Sequence, residues 1–119
     1  MKISYNNKEE ERRHSMKKGE EKKVQDSIIK YFKDHNIFFE RRVVSGFNYK
    51  KGIPDLYCVY KGRHVEIEVK KERGGALSTL QLKWSRYFKT HNIYYILAKR
   101  DIDVINFLRL IDIELEINT

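Results

Sequence analysis

The chain has little of what would anchor, cross-link or export a protein. No apolar run approaches the roughly 20 residues a bilayer-spanning helix needs, and no hydrophobic leader opens the sequence. Both absences predict a soluble cytoplasmic protein without membrane contact. Cys58 is the one cysteine, which excludes an intrachain disulfide and a cysteine-based zinc site; a lone thiol of this kind is expected in the core, as a small hydrophobe. There is no helix-turn-helix or zinc signature, no internal repeat and no sign of a second domain.

What is present suits one small folded domain with a basic surface. Hydrophobic residues make up 40% of the 119 and aromatics 13%, enough for one core and hardly for two. The formal charge is +8 and unevenly spread: Asp101 to Thr119 carries −4, leaving +12 on Met1 to Arg100. Such a field attracts a polyanion and steers its approach.

Along the chain, residues 1–19 read as a polar arm and 20–119 as the domain. Glu20 to His35 has Val24, Ile28, Tyr31, Phe32 and His35 at helical spacing, with Asn36 as its end. Phe38 to Ser45 reads as a strand and Gly46 to Gly52 as a basic loop. Leu56 to Tyr60 and His64 to Val69, rich in β-branched and aromatic residues, form a hairpin about Lys61-Gly62. A link containing Gly74-Gly75 follows, expected to be mobile. Ser78 to His91 is a second helix expected to bury Leu80, Trp84, Tyr87, Phe88 and His91. Ile93 to Ala98 is a fourth strand, apolar on both faces and so in need of cover on both. Asp101 to Leu110 is expected to be a short helix capped by Asp101 or Asp103, and Ile111 to Ile117 alternates like a tail strand. The fold expected is α/β, a mixed four-stranded sheet flanked by helices.

The chemistry lies in the hairpin register. A two-residue turn pairs Tyr60 with Arg63 and, further down, Asp55 with Glu68, whose Cβ atoms then stand roughly 5 Å apart. Two carboxylates at that spacing can share a divalent cation. Period two puts Lys70 on their face and Leu56, Cys58, Tyr60, Val65, Ile67 and Val69 on the other. Each residue has a plainer reading as well. Asp55 after Pro54 suits a turn, Glu66 and Glu68 suit a solvent-facing pair, and Lys70 belongs to a basic run with Lys71 and Arg73. Glu20 and Glu21 compete for the apolar side of the first helical turn, where acids are favoured in any case. Ser78-x-x-Gln81 is a capping box, which occupies the glutamine amide.

Pro54-Asp55 followed by Glu68-Val69-Lys70 resembles the signature of the PD-(D/E)xK nuclease superfamily. Gly52-Ile53 before the proline, Ser78-x-x-Gln81 and Glu21-x-x-Val24-Gln25 are similar to its VRR-NUC branch, in the small stand-alone form found in phages. The likeness spans roughly Glu20 to Arg109. It implies a restriction-endonuclease-like core and an endonuclease dependent on Mg²⁺ or Mn²⁺. Asp55, Glu68 and the Val69 carbonyl are the implied metal ligands, with Glu21 as a further one. Lys70 and Gln81 are implied beside Asp55, Glu68 and Glu21 as catalytic groups, while Arg41, Arg42, Lys50, Lys51, Lys71 and Arg73 are expected to grip phosphates. The residue types serve DNA and RNA alike; the resemblance implies DNA, in four-way junctions or other branched forms, and a homodimer. A nicking or restriction-type nuclease and a catalytically silent DNA-binding module are the alternatives.

Overall fold

A computed structural model describes residues 19–42 and 50–118. The polar arm through residue 18, the end of the expected first strand at 43–45 and the first half of the basic loop at 46–49 lie outside them.

Helix α1 runs through residues 19–34 and buries Ile28 and Phe32 completely. Asn36 ends it in the left-handed region at φ 53°, which asparagine tolerates, and the Ile37 amide closes on the Phe32 carbonyl at 2.9 Å. Strand β1, Phe38–Arg41, then pairs antiparallel with β2, Leu56–Tyr60. Lys61 and Gly62 both have positive φ, 49° and 79°, as a two-residue turn of matching twist requires. That turn sets the register of β2 with β3, Arg63–Val69: Tyr60 opposes Arg63 and Leu56 opposes Ile67. The expected register therefore holds from Tyr60-Arg63 to Leu56-Ile67, one step short of Asp55 and Glu68.

Helix α2, Thr79–Thr90, carries the chain over to β4, Tyr94–Ala98, which lies parallel to β3. The sheet order is β1-β2-β3-β4, and α3, Asp101–Ile117, completes the domain. This is an α/β fold with a mixed four-stranded sheet flanked by three helices, the generic restriction-endonuclease-like arrangement.

The two sheet faces differ in chemistry. On one, Leu56, Cys58, Val65, Ile67, Val69 and Ala98 are buried with Ile28 and Phe32 of α1 and Val104, Leu108 and Ile111 of α3. Each such side chain contributes about 1.5–3 kcal/mol, so this layer dominates stability. Burial pushes the Cys58 thiol up to about 12, with the Glu66 charge adding to it, so Cys58 is a core hydrophobe. The opposite face carries Glu66 and Glu68, both 1% exposed, on the side that α2 covers.

Three expectations are corrected. The alternating tail is no strand: α3 continues unbroken to Ile117. The same residues also fit helical spacing, with Val104, Leu108, Ile111 and Leu115 turned to the core and Leu110, Ile113 and Ile117 outward. Its N-cap is Arg100, and Asp103 reaches back from the first turn to the Lys99 and Arg100 amides at 2.9 and 3.1 Å. In α2 only Ser85 and Phe88 are buried; Leu80, Tyr87 and His91 are exposed. The helix rests on β4 through Phe88, whose ring stacks on Tyr95, and this leaves the Leu80-Trp84-Tyr87 edge beside a cleft. Among the described residues no helix is long and apolar enough to cross a membrane.

Candidate active site

Asp55 stands one residue before β2, and Glu68 is the penultimate residue of β3, so the ladder brings both to the same end of the sheet. The Val69 amide donates to Asp55 Oδ2 at 3.0 Å, and the Arg42 amide donates to the Asp55 carbonyl at 2.8 Å. Asp55 is thereby held by its backbone and its side chain. Glu68 is buried, and its Oε1 has no hydrogen-bond partner among the described residues. Its carboxyl is pushed up to about 10, first by burial, then by a hydrogen bond shared with Asp55 and by the Asp55 charge; Glu21 adds to the rise and Lys70 opposes it.

These influences locate the neighbours. Glu21 is half-buried and its charge is felt at Glu68, whereas Glu20 is exposed and lines a separate cleft with Lys23, Val24, Glu72 and Arg73. Lys70 directly follows β3, its amide held by the Ala98 carbonyl at 2.9 Å. The loop after it passes so close that a Cβ on Gly75 would stand 2.8 Å from the Lys70 Cβ, so only glycine fits there. Gln81 closes the capping box: its Oε1 accepts from the Ser78 amide at 2.8 Å while Ser78 Oγ accepts from the Gln81 amide at 3.2 Å. Its NH₂ group is the part left for other work.

The basic residues expected at phosphates surround this end of the sheet but are not equivalent. Arg41, Lys50, Lys51 and Arg73 are exposed and Lys71 is half-buried. Arg42 is occupied. Its guanidinium meets Glu66 bidentately, with Nη2 to Oε2 at 2.8 Å, and Nη1 also donates to the Pro54 carbonyl at 2.9 Å. His64 Nε2 closes on the same Glu66 carboxylate, and Tyr57 is sandwiched, its ring 4.6 Å from His64 and 5.1 Å from the Arg42 guanidinium. Glu66 is therefore a buried anchor for the Pro54-Asp55 turn, and the expectation of a solvent-facing acid is overturned.

A second residue is legible only in the structure. Tyr95 sits opposite Glu66 in the parallel ladder, and its buried hydroxyl makes no hydrogen bond of ordinary geometry. Burial pushes it up to about 12, with the Glu68 and Asp55 charges adding and the Ser85 side chain opposing. Glu68 Oε1 and Tyr95 Oη are the two unpartnered buried side-chain oxygens among the described residues, and the charge felt by Tyr95 sets them near one another. Buried polar groups left unmet cost about 1–3 kcal/mol each.

Among the described residues no group of three or more His, Cys, Asp and Glu side chains converges on a point, as a closed all-protein metal cage would require. Mg²⁺ asks for less: it keeps most of its waters and takes one or two carboxylates plus substrate phosphates. The Asp55-Glu68 pair, two carboxyls sharing a hydrogen bond, with one Glu68 oxygen buried and unpartnered among the described residues, fits that demand. Comparisons with family models, with curated proteins and with solved structures find no match.

Proposed function

We propose that the chain is a metal-dependent endonuclease of the VRR-NUC kind, hydrolysing phosphodiester bonds in DNA, with branched or junction DNA as its preferred form. The observation that carries this reading is the Asp55-Glu68 pair. Burying one carboxyl against a second is costly, since burial and like charge both oppose its ionisation. A site for an oxygen-liganded cation at a phosphate gives that cost a purpose. The preference for branched DNA, and for DNA over RNA, rests on the resemblance of the motifs.

Asp55 and Glu68 would hold the ion, with the Val69 carbonyl and Glu21 as the further ligands. The chemistry supplied by bound Mg²⁺ or Mn²⁺ is polarisation of the scissile phosphate and acidification of the attacking water. Lys70 orients that water and offsets the negative charge that grows on the phosphoryl oxygens. The Gln81 NH₂ donates to water or to a phosphate oxygen, while Lys50, Lys51, Lys71, Arg73 and Arg41 grip the flanking backbone without reading bases. Arg42 acts one step back, holding the Pro54-Asp55 turn in place.

Cleavage of linear, supercoiled and four-way-junction DNA, with Mg²⁺ or Mn²⁺ and with EDTA, tests the reading. Turnover is expected with metal and none in EDTA. Asp55→Asn and Glu68→Gln should each lose about 100-fold or more, the order expected when transition-state electrostatics are removed. A folded variant of either kind that cuts as well as wild type sinks the assignment.

A further inference from the structure

Beside the carboxylates lies a cleft of about 500 Å³. One wall is the edge of α2 formed by Leu80, Trp84 and Tyr87, at i, i+4 and i+7; the other is Ile53, with Arg42 and Lys50 at its margin and Lys83 on the helix side. Leu80 is 45% and Tyr87 48% exposed, an unusual display of apolar surface for residues spaced to be buried. No acidic side chain is among the described residues that line it.

The aromatic wall is built rather than loose. The Trp84 indole N–H donates to the Lys51 carbonyl at 3.0 Å, which fixes the ring. Phe88 stacks on it at 5.7 Å and Tyr87 meets it edge-on at 5.6 Å. Gly52, at φ +81°, lets the 50–53 turn close on the start of α2; a Cβ there would stand 2.7 Å from the Leu80 Cβ. The cleft adjoins the Pro54-Asp55 turn, because Ile53, which lines it, precedes that turn and Arg42, at its margin, bonds to both carbonyls.

A fixed aromatic surface with lysines at its rim and no acid has the chemistry of a nucleobase seat: the ring stacks, and the adjoining phosphate meets the ammonium groups. A cleft of this size admits one heteroaromatic ring, whereas a paired, stacked duplex cannot enter it. We propose that this cleft binds an unpaired nucleobase of the strand whose backbone passes Asp55 and Glu68, so that the chain prefers nucleic acid that is single-stranded or frayed beside the scissile bond. The inference rests on the nuclease reading for its purpose, yet binding is measured without turnover.

Trp84 is the chain's one tryptophan, so its fluorescence reports directly on the seat. The full chain in EDTA is titrated with a single-stranded oligonucleotide and with a blunt duplex of equal length, while anisotropy of labelled DNA records binding. The single strand should quench Trp84 saturably and the duplex should bind without comparable quenching. Tyr87→Ala, at a half-exposed position, should weaken single-strand binding about tenfold, the order expected for one lost base-aromatic stack, and leave duplex binding unchanged. Lys83→Ala should weaken single-strand binding and reduce its salt dependence. Equal quenching by duplex and single strand, binding without quenching, or a tryptophan signal that changes with protein concentration alone, as when a second copy fills the cleft, each overturns the proposal. Quenching as expected in a protein that never cleaves DNA upholds the seat and removes the nuclease reading; metal-dependent cleavage without quenching does the reverse.

Discussion

Glu68 ties the folding of the protein to its chemistry. An unfolded glutamate titrates near 4.5, while folded Glu68 keeps its proton to about 10. Through that window the native state binds more protons than the unfolded one, so Glu68's contribution to metal-free stability is fully present below about 4.5 and is lost as pH rises toward 10. On the proposed function a divalent cation would take the place of the proton, so stabilisation by Mg²⁺ or Mn²⁺ should grow with pH over the same range. Thermal melts in EDTA should show a melting temperature that falls with rising pH, and added Mn²⁺ should raise it most at the alkaline end. Glu68→Gln carries a neutral group of the same shape, and it should lose both dependences while staying folded. An unchanged pH slope in that variant would mean that Glu68 is not the buried proton holder.

Between elements, the Arg42-Glu66 pair fastens the end of β1 to the middle of β3 and to the Pro54-Asp55 turn. Arg42→Met keeps much of the side-chain volume but leaves the buried Glu66 carboxylate with His64 as its remaining partner, and losing one partner of a buried pair costs up to about 3 kcal/mol. For a domain of ordinary stability, about 5–15 kcal/mol, that is a large loss, so the chemical denaturation midpoint should drop clearly. Restoring the balance with Arg42→Met and Glu66→Leu together should recover stability but not Asp55 placement, which turnover per folded molecule reads separately. A double variant with wild-type turnover would show that the anchor serves stability alone. The sequence made the hairpin readable because a two-residue turn leaves one register, and that register carries Asp55 to Glu68. It concealed Glu66 and Tyr95, since burial of one and the partner of the other depend on where α2 and β4 return after a crossover. The segment from Ile111 to Ile117 was ambiguous for a simpler reason: apolar residues at 111, 113, 115 and 117 satisfy both periods, and only the continued packing of Ile111 and Leu115 on the core selects the helix.

Across the whole molecule, the surface divides by charge and by polarity. By sequence, residues 1–100 carry +12, whereas α3 lies in the segment of net −4; on the proposed function a polyanion would be drawn to the former and repelled from the latter. On that acidic helix Leu110, Ile113 and Ile117 are 61%, 51% and 76% exposed and lie at i, i+3 and i+7, one contiguous row. We propose that this row packs against its own copy about a two-fold axis, the simplest way for one apolar stripe to leave water. The arrangement keeps the nucleic-acid face open on each protomer and supplies two carboxylate sites to one branched substrate. Light scattering at micromolar concentration should then give twice the 14.4 kDa chain mass. Leu110→Glu with Ile113→Glu, both at outward positions, should return the mass to one chain without unfolding it, because Val104, Leu108 and Ile111 on the inner side are untouched. The monomeric variant should still nick DNA at each intact Asp55-Glu68 site but should lose paired cuts across a junction. A wild-type chain that is monomeric and makes paired cuts at the same concentration would remove the dimer from the mechanism and leave the single site standing.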